Sequence, residues 1–546
     1  MSSSSPMDGS GHARGGFAIW VGVTLTVVFA GLLALEVAGV PHNVVQGGLA
    51  IAMLVLVLVV SLRAGSMQLS AFLAADRQMS STRAGLALTM DLVSGPVILV
   101  VALTLASSDP RLGLLAPALL FGCALAAMLT AGPMRISGGV TASDMLAQRY
   151  DSVLLRLLAS LAALLASGLL LTAQFVVIGI YIAGGFGIHP VIAVIAAMLL
   201  IFAITLPGGL RGIGRLQIAC LWVVVAGIGA PLIAVWIGGN TAPPISPVSP
   251  AASPLALGLP QHFPGAPSDL VATSLCIATG LAVLPQVLMR MASTTRVATA
   301  RWSFLWAMVA TAAVLAAVAL LPITPQATDA DIDILLQSLI VFLDLTEAVS
   351  LPPLFASLLL LAVMSVAIAT ATAATLAGAT AVSHDIYGRL IATRQGRQNR
   401  LIVTRLCIIA LAAVAARLAL VQPVDVFTLT AWAFSVAAGA LFPAVVLGIW
   451  WRRAVTEGIV SGVLLGLVVT VSYIVATAFG ADFLYQSGDE IGIWLGISHW
   501  GAGVFGLAAG TLAIVAVSLM RPPPDQETRS RADHLVVPRA APLSDL

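Results

Sequence analysis

Apolar runs separated by short polar punctuation fill this chain, and about fourteen of them reach the ~18 residues that a helix needs to cross a hydrocarbon core. They centre near residues 28, 54, 96, 123, 168, 197, 227, 279, 312, 367, 410, 437, 467 and 510. The pattern predicts an all-α polytopic membrane protein with about 14 transmembrane helices.

Three runs are interrupted. In the third, residues 86–100 read LALTMDLVSGPVILV, with Asp91 in the middle and Gly95-Pro96 a turn later. Proline removes an amide donor and clashes with the preceding turn, so the helix is expected to break there. Freed carbonyls are tolerated at membrane depth only where protein buries them or water reaches them. Such carbonyls can hold a cation. The eighth run reads CIATGLAVLPQVLMR, with Gly280 and Pro285, and the over-long tenth contains SVAIATATAATLAGAT. Small residues let helices approach closely, and hydroxyl oxygens are ready cation ligands.

The interrupted third and eighth runs lie five apart, the spacing of a five-plus-five inverted repeat in which each half begins with a discontinuous helix. The repeats are expected over 84–238 and 267–449, with peripheral helix pairs at 17–64 and 455–520. A cytoplasmic tail is expected at 1–16 and a disordered one at 521–546, where the chain is polar and Pro-rich.

Charge orients this scheme. The chain has no lysine, and arginines cluster after every second run: Arg63, Arg77 and Arg83; Arg135, Arg149 and Arg156; Arg211 and Arg215; Arg290, Arg296 and Arg301; Arg389, Arg394, Arg397 and Arg400; Arg452 and Arg453. The intervening loops are nearly free of arginine, and 323–351 is acidic. By the positive-inside rule both termini face the cytoplasm of a bacterial-type inner membrane.

Composition then narrows the function classes. At 60% hydrophobic and 9% charged over 546 residues, the chain is not a soluble globular protein, and the lipid bilayer is its surroundings. A net charge of +2, with no basic run interleaved with aromatics, excludes a nucleic-acid partner. The four cysteines stand singly in apolar runs, without metal or disulfide spacing. No Ser-His-Asp set, carboxylate pair at shared depth or phosphate loop points to an enzyme. No cofactor is expected, and no metal beyond a monovalent cation.

Four stretches carry a resemblance. RISGGVTASDMLAQRYDS (135–152), LPGGLRGIGRLQ (206–217), GLAVLPQVLMRMASTTRVATAR (280–301) and TLAGATAVSHDIYGRL (375–390), together with Gln174, resemble sequence elements of the sodium:solute symporters. Within that family they are most similar to the acetate permease and related monocarboxylate carriers, over about residues 70–460. The resemblance implies a LeuT-like inverted-repeat fold with a sodium site between the third and tenth segments. Its backbone-carbonyl ligands fall on Met90 and Val93, and its tenth-segment positions on Val366, Ala369 and Thr370. The family's substrate positions fall on Ser94, Pro96 and Val97, and on Ile277 and Leu281, with Gln174 as a further candidate. Asp91 stands where acetate-type members also carry Asp, as a group behind the cation ligands or a proton-coupling site.

Several positions depart from the family. Ala369 lacks the hydroxyl that many sodium-coupled members have, Gln286 replaces the usual His, and Arg215 stands near the usual loop Asp. Proton coupling therefore stays open beside sodium. Plainer roles exist too: Asp91 as an N-cap or snorkelling group, Thr370 bonded back to its own helix, Gln174 and Gln286 as interhelical glue. Arg290, Arg301 and Asp385 are expected at cytoplasmic helix ends, explained by topology and capping. The function expected is cation (Na+ or H+)-coupled symport of a small organic anion, a short monocarboxylate such as acetate. An amino-acid symporter, or a transport-deficient sensor or subunit, is the alternative. The extra first helix is a candidate counterpart of a small membrane accessory subunit.

Overall fold

Helices account for nearly all of the computed structural model, which describes residues 10–63, 65, 68–94, 115–237, 267–320, 352–391, 397–421, 424–479 and 494–536. In chain order they are α1 (Ser10–Val37), α2 (His42–Leu62), α3 (Leu69–Ala74), α4 (Ser81–Leu92), α5 (Leu115–Leu125), α6 (Ala131–Ser137), α7 (Ala142–Arg149), α8 (Val153–Phe186), α9 (Pro190–Ile237) and α10 (Pro267–Leu281). Then follow α11 (Pro285–Ala292), α12 (Val297–Ala319), α13 (Leu354–Thr380), α14 (Arg397–Val421), α15 (Val426–Val436), α16 (Phe442–Trp450), α17 (Thr456–Ala478), α18 (Gly503–Met520) and α19 (Gln526–Val536). A π-helical stretch, Ala381–Ile391, carries α13 onward.

Among the described residues, eleven helical spans are long and apolar enough to cross a membrane, and Val44–Val60 in α2 is a shorter one. The expected count of fourteen is not confirmed: the segment near 96 lies for the most part outside the described residues. Part of the shortfall has a geometric cause. At 48 residues, α9 is about 72 Å long, more than twice a ~30 Å hydrocarbon core. It holds two of the expected segments. Between them Gly209 has φ 49° and ψ −153°, and a Cβ there would lie 2.5 Å from the Phe72 carbonyl oxygen. Only glycine fits this break.

The eighth segment is discontinuous, as Gly280 and Pro285 suggested: α10 ends at Leu281 and α11 begins on Pro285, which fills a first-turn position where no amide donor is needed. Gly280 lets α10 lie against α15, since a Cβ there would run into the Phe434 carbonyl. The third segment likewise loses its helix after Leu92. Pro96 and Val97 lie outside the described residues. Among the described membrane-length spans the most enclosed is the one built on α13, with nearly every residue buried; α8, α9 and α4 pack around it.

The arginine-bearing loops meet at one end of the bundle. Arg135 donates to the Thr295 carbonyl at 2.8 Å, Arg215 to that of Arg63 at 3.0 Å, and Arg77 to that of Gly138. Arg149, almost fully buried, donates to the carbonyls of Gly448 (2.6 Å), Trp451 (3.0 Å) and Arg452 (3.1 Å), satisfying the orphan end of α16. An alternating insertion with all arginine loops on one side requires this clustering.

One expectation is corrected at the C-terminus. Residues 526–536 form α19, not a disordered tail: Ala532 and Leu535 are buried against α6, α7 and α16, and Asp533 pairs with Arg452 at 2.8 Å. Two apolar residues three apart suffice because the bundle supplies the other half of the contact.

Candidate cation and substrate site

The site is built where α13 crosses the end of α4. Thr370, fully buried, places its hydroxyl 2.8 Å from the Met90 carbonyl oxygen and 3.0 Å from that of Val366 one turn back. Both readings of this residue therefore hold at once, the bond to its own helix and the contact across to α4. Three oxygens converge around a single proton. Of the positions implied by the resemblance, Met90, Val366 and Thr370 come together directly. Val93 caps α4 one turn after Thr89, whose carbonyl takes its amide at 2.9 Å. Ala369 contributes only backbone: its carbonyl accepts from the Thr372 hydroxyl at 2.8 Å and from Gln217 Nε2 at 3.5 Å.

Asp91 belongs to a buried charge network beside these oxygens. Gln217 Nε2 donates to Asp91 Oδ1 at 2.7 Å, Arg290 donates to Gln217 Oε1, and Arg290 lies 3.6 Å from Asp91 Oδ2. The side chains of Asp91 and Arg290 are both 0% exposed. Arg290 is thus not a capping group at a helix end, as its position in a positive-inside pattern suggested. Its charge is neutralised internally, because an unpaired guanidinium at this depth would be prohibitively costly. A gap at Gly214 makes room for it: a Cβ there would lie 3.1 Å from one guanidinium nitrogen.

The other substrate candidates are buried. Ser94, Gln174, Ile277 and Leu281 are each less than a tenth exposed. Among the described residues, both amide atoms of Gln174 and of Gln286 are buried without a hydrogen-bond partner, as is Ser94 Oγ. Sequence reasoning named neither Gln217 nor Arg290 as a site residue. The usable signal was the four-residue spacing of Gln286 and Arg290, which puts both on one helix face.

A second cluster lies at the arginine-rich end. Asp385, expected at a cytoplasmic helix end and explained by capping, is fully buried and accepts from Thr141 Oγ1 (2.8 Å) and Ser160 Oγ (3.4 Å). Asp144, His384 and Asp385 bring ligand atoms within 4.8 Å of one another. Asp144 Oδ1 already faces Arg156 at 3.0 Å and Arg389 at 3.5 Å, and Oδ2 takes His384 Nε2 at 2.7 Å. Any ion would have to displace two guanidinium groups, so the cluster acts as a lock joining α7, α8 and the continuation of α13.

Burial pushes the Asp144 carboxyl up, but the His384 bond and the charges of Arg389 and Arg156 outweigh it and hold Asp144 well below the usual carboxylate range. A depressed folded-state value stabilises the fold fully above the unfolded pKa of about 3.9, and that contribution fades as pH falls below it. In thermal scans of purified protein over pH 3 to 7, the wild type should lose stability steeply below about pH 4. Asp144→Asn should start lower at neutral pH and fall less steeply. Parallel curves would remove Asp144 from this role.

The model for the family described as "Sodium:solute symporter family" matches residues 72–466. An uncharacterized symporter of Cupriavidus necator is 32% identical over 190 residues, which is 35% of this chain and only 28% of that relative's length. Among solved structures, the substrate-bound outward-open state of a Na+-coupled sialic acid symporter aligns with a TM-score of 0.68 at 16% identity, covering 88% of this chain and 98% of that one. This likeness establishes an all-helical LeuT-like transporter fold.

Proposed function

Because the chain belongs to the sodium:solute symporter family, whose members couple solute movement to a cation, we propose that it imports a short monocarboxylate such as acetate, driven by sodium. The convergence of the Thr370 hydroxyl with the Met90 and Val366 carbonyls carries this reading. One hydroxyl proton cannot serve two carbonyls well, and a monovalent cation suits an oxygen cluster with surplus lone pairs. Met90, Val93, Val366, Ala369 and Thr370 form the cation site on this reading. Ser94, Pro96, Val97, Gln174, Ile277 and Leu281 are the solute positions on the same reading.

Cation binding ties α4 to α13, and coupling is its differential affinity for the outward- and inward-facing arrangements. At 100 mV the membrane potential adds about 2.3 kcal/mol, or roughly fifty-fold accumulation, for each net positive charge moved, so it drives uptake only when cations outnumber the anionic solute; at one cation per monocarboxylate the sodium gradient alone is the driving force. The positive end of a half-helix at the break suits an anionic solute, and buried Ile277 and Leu281 suit a small apolar tail better than a sugar. The repeats run over 84–238 and 267–449, with the arginine-rich end and both termini in the cytoplasm. Asp91, next to Met90, is the group through which protons would couple if sodium does not.

Uptake of labelled acetate and pyruvate into proteoliposomes, with sodium and proton gradients imposed separately, tests this. An inward sodium gradient should raise the initial rate. Stimulation by protons alone would move coupling to Asp91, and indifference to both gradients would sink the symport reading.

A further inference from the structure

We propose that the solute site reads a hydroxyl as well as a carboxylate through the buried amides of Gln286 and Gln174, so that 2-hydroxy monocarboxylates are preferred over their deoxy counterparts. This deepens the symporter reading and rests on it for the meaning of the site.

The placement follows from how α4 and α11 run past each other. Met79, just ahead of α4, donates its amide to the carbonyl of Ser293, just after α11, at 3.1 Å. Twelve positions on, Asp91 faces Arg290 at 3.6 Å. The two segments are therefore antiparallel. Ser94, three residues past Asp91, and Gln286, one turn before Arg290, both lie toward the other end of the pair, where each broken segment loses its helix. The helix carrying Gln174, α8, also packs on α11.

Chemistry narrows the ligand. Gln174 is 0% exposed, Gln286 and Ser94 2% each, and the five polar side-chain atoms of the three have no partner among the described residues. An amide offers two N–H donors and a carbonyl acceptor. A carboxylate satisfies the donors, but it has no proton for Gln174 Oε1 or Gln286 Oε1. With the Ser94 hydroxyl serving one of them, acetate would still leave the other acceptor buried and unmet, which is the costly case. A hydroxyl next to the carboxylate supplies the missing donor, while Ile277 and Leu281 accommodate the carbon skeleton. Arg290 is already committed to Asp91 and Gln217, so it does not take over carboxylate recognition.

Calorimetric titration of the purified full chain in sodium, with glycolate against acetate and lactate against propionate, tests this apart from transport. Each hydroxy acid should bind at least about tenfold tighter than its deoxy partner, as sites built around a substrate hydroxyl do. In Gln286→Leu the ratio should collapse to within about threefold, with Gln174→Leu as the second variant should the first not fold. Equal wild-type affinities, an unchanged ratio in a folded variant, or no binding of any of the four would overturn the proposal. Binding with the expected preference but no gradient-driven uptake would sink the symport reading alone.

Discussion

Thr370→Ala is expected to abolish sodium stimulation of uptake, and Thr370→Ser to keep it. The hydroxyl is the side-chain oxygen among the implied ligands, since Ala369 has none and Met90, Val93 and Val366 offer only carbonyls. Removing one oxygen from a charged partner in a buried site costs about 2–3 kcal/mol, or roughly 30- to 150-fold in affinity. Sodium dependence of initial uptake rates reads this directly. The effect on the fold should be small, because the Thr370 bond to Val366 duplicates a helix carbonyl already engaged by backbone. Unchanged sodium dependence in a well-folded Thr370→Ala protein would refute the placement of the cation.

Arg290→Met should be the most destabilising single change in the core. It leaves the Asp91 carboxylate buried with only the Gln217 amide for company, and breaking a buried pair from one side costs about 3–5 kcal/mol. Asp91→Asn alone strands the guanidinium in the same way. The double variant Asp91→Asn with Arg290→Met should recover most of the loss, since neither charge remains to be compensated. Thermal unfolding of the four proteins forms a double-mutant cycle, and additive losses, within about 0.5 kcal/mol, would mean the two groups do not act as a pair.

How much of this was legible depends on range along the chain. Breaks in the third and eighth segments were visible because Gly95-Pro96 and Gly280 with Pro285 act on their own turns. The meeting of Thr370 with Met90 crosses 280 residues and came from the family resemblance, not from periodicity. Arg290 was misplaced for a related reason. A positive-inside pattern counts arginines near segment ends, and Arg290 lies in such a position; its partners, 73 residues away at Gln217 and farther still at Asp91, decide that it turns inward. The buried Asp385 was missed likewise, through Thr141 and Ser160 on distant helices. At the C-terminus, polar composition argued for disorder, but the surface of α6, α7 and α16 completes an apolar contact that α19 could not form alone.

The sequence by itself determined the membrane class, the alternation of arginine-rich and arginine-free loops, and the places where helices must break. Hydropathy, charge asymmetry and proline act locally or additively, so order along the chain is enough to read them. Tertiary structure alone decided which oxygens converge, which charge neutralises Asp91, and that Gln174 and Gln286 are buried with their amides unpaired among the described residues. A buried polar group takes its meaning from partners supplied by other helices, and their distance and direction exist only once the bundle is packed.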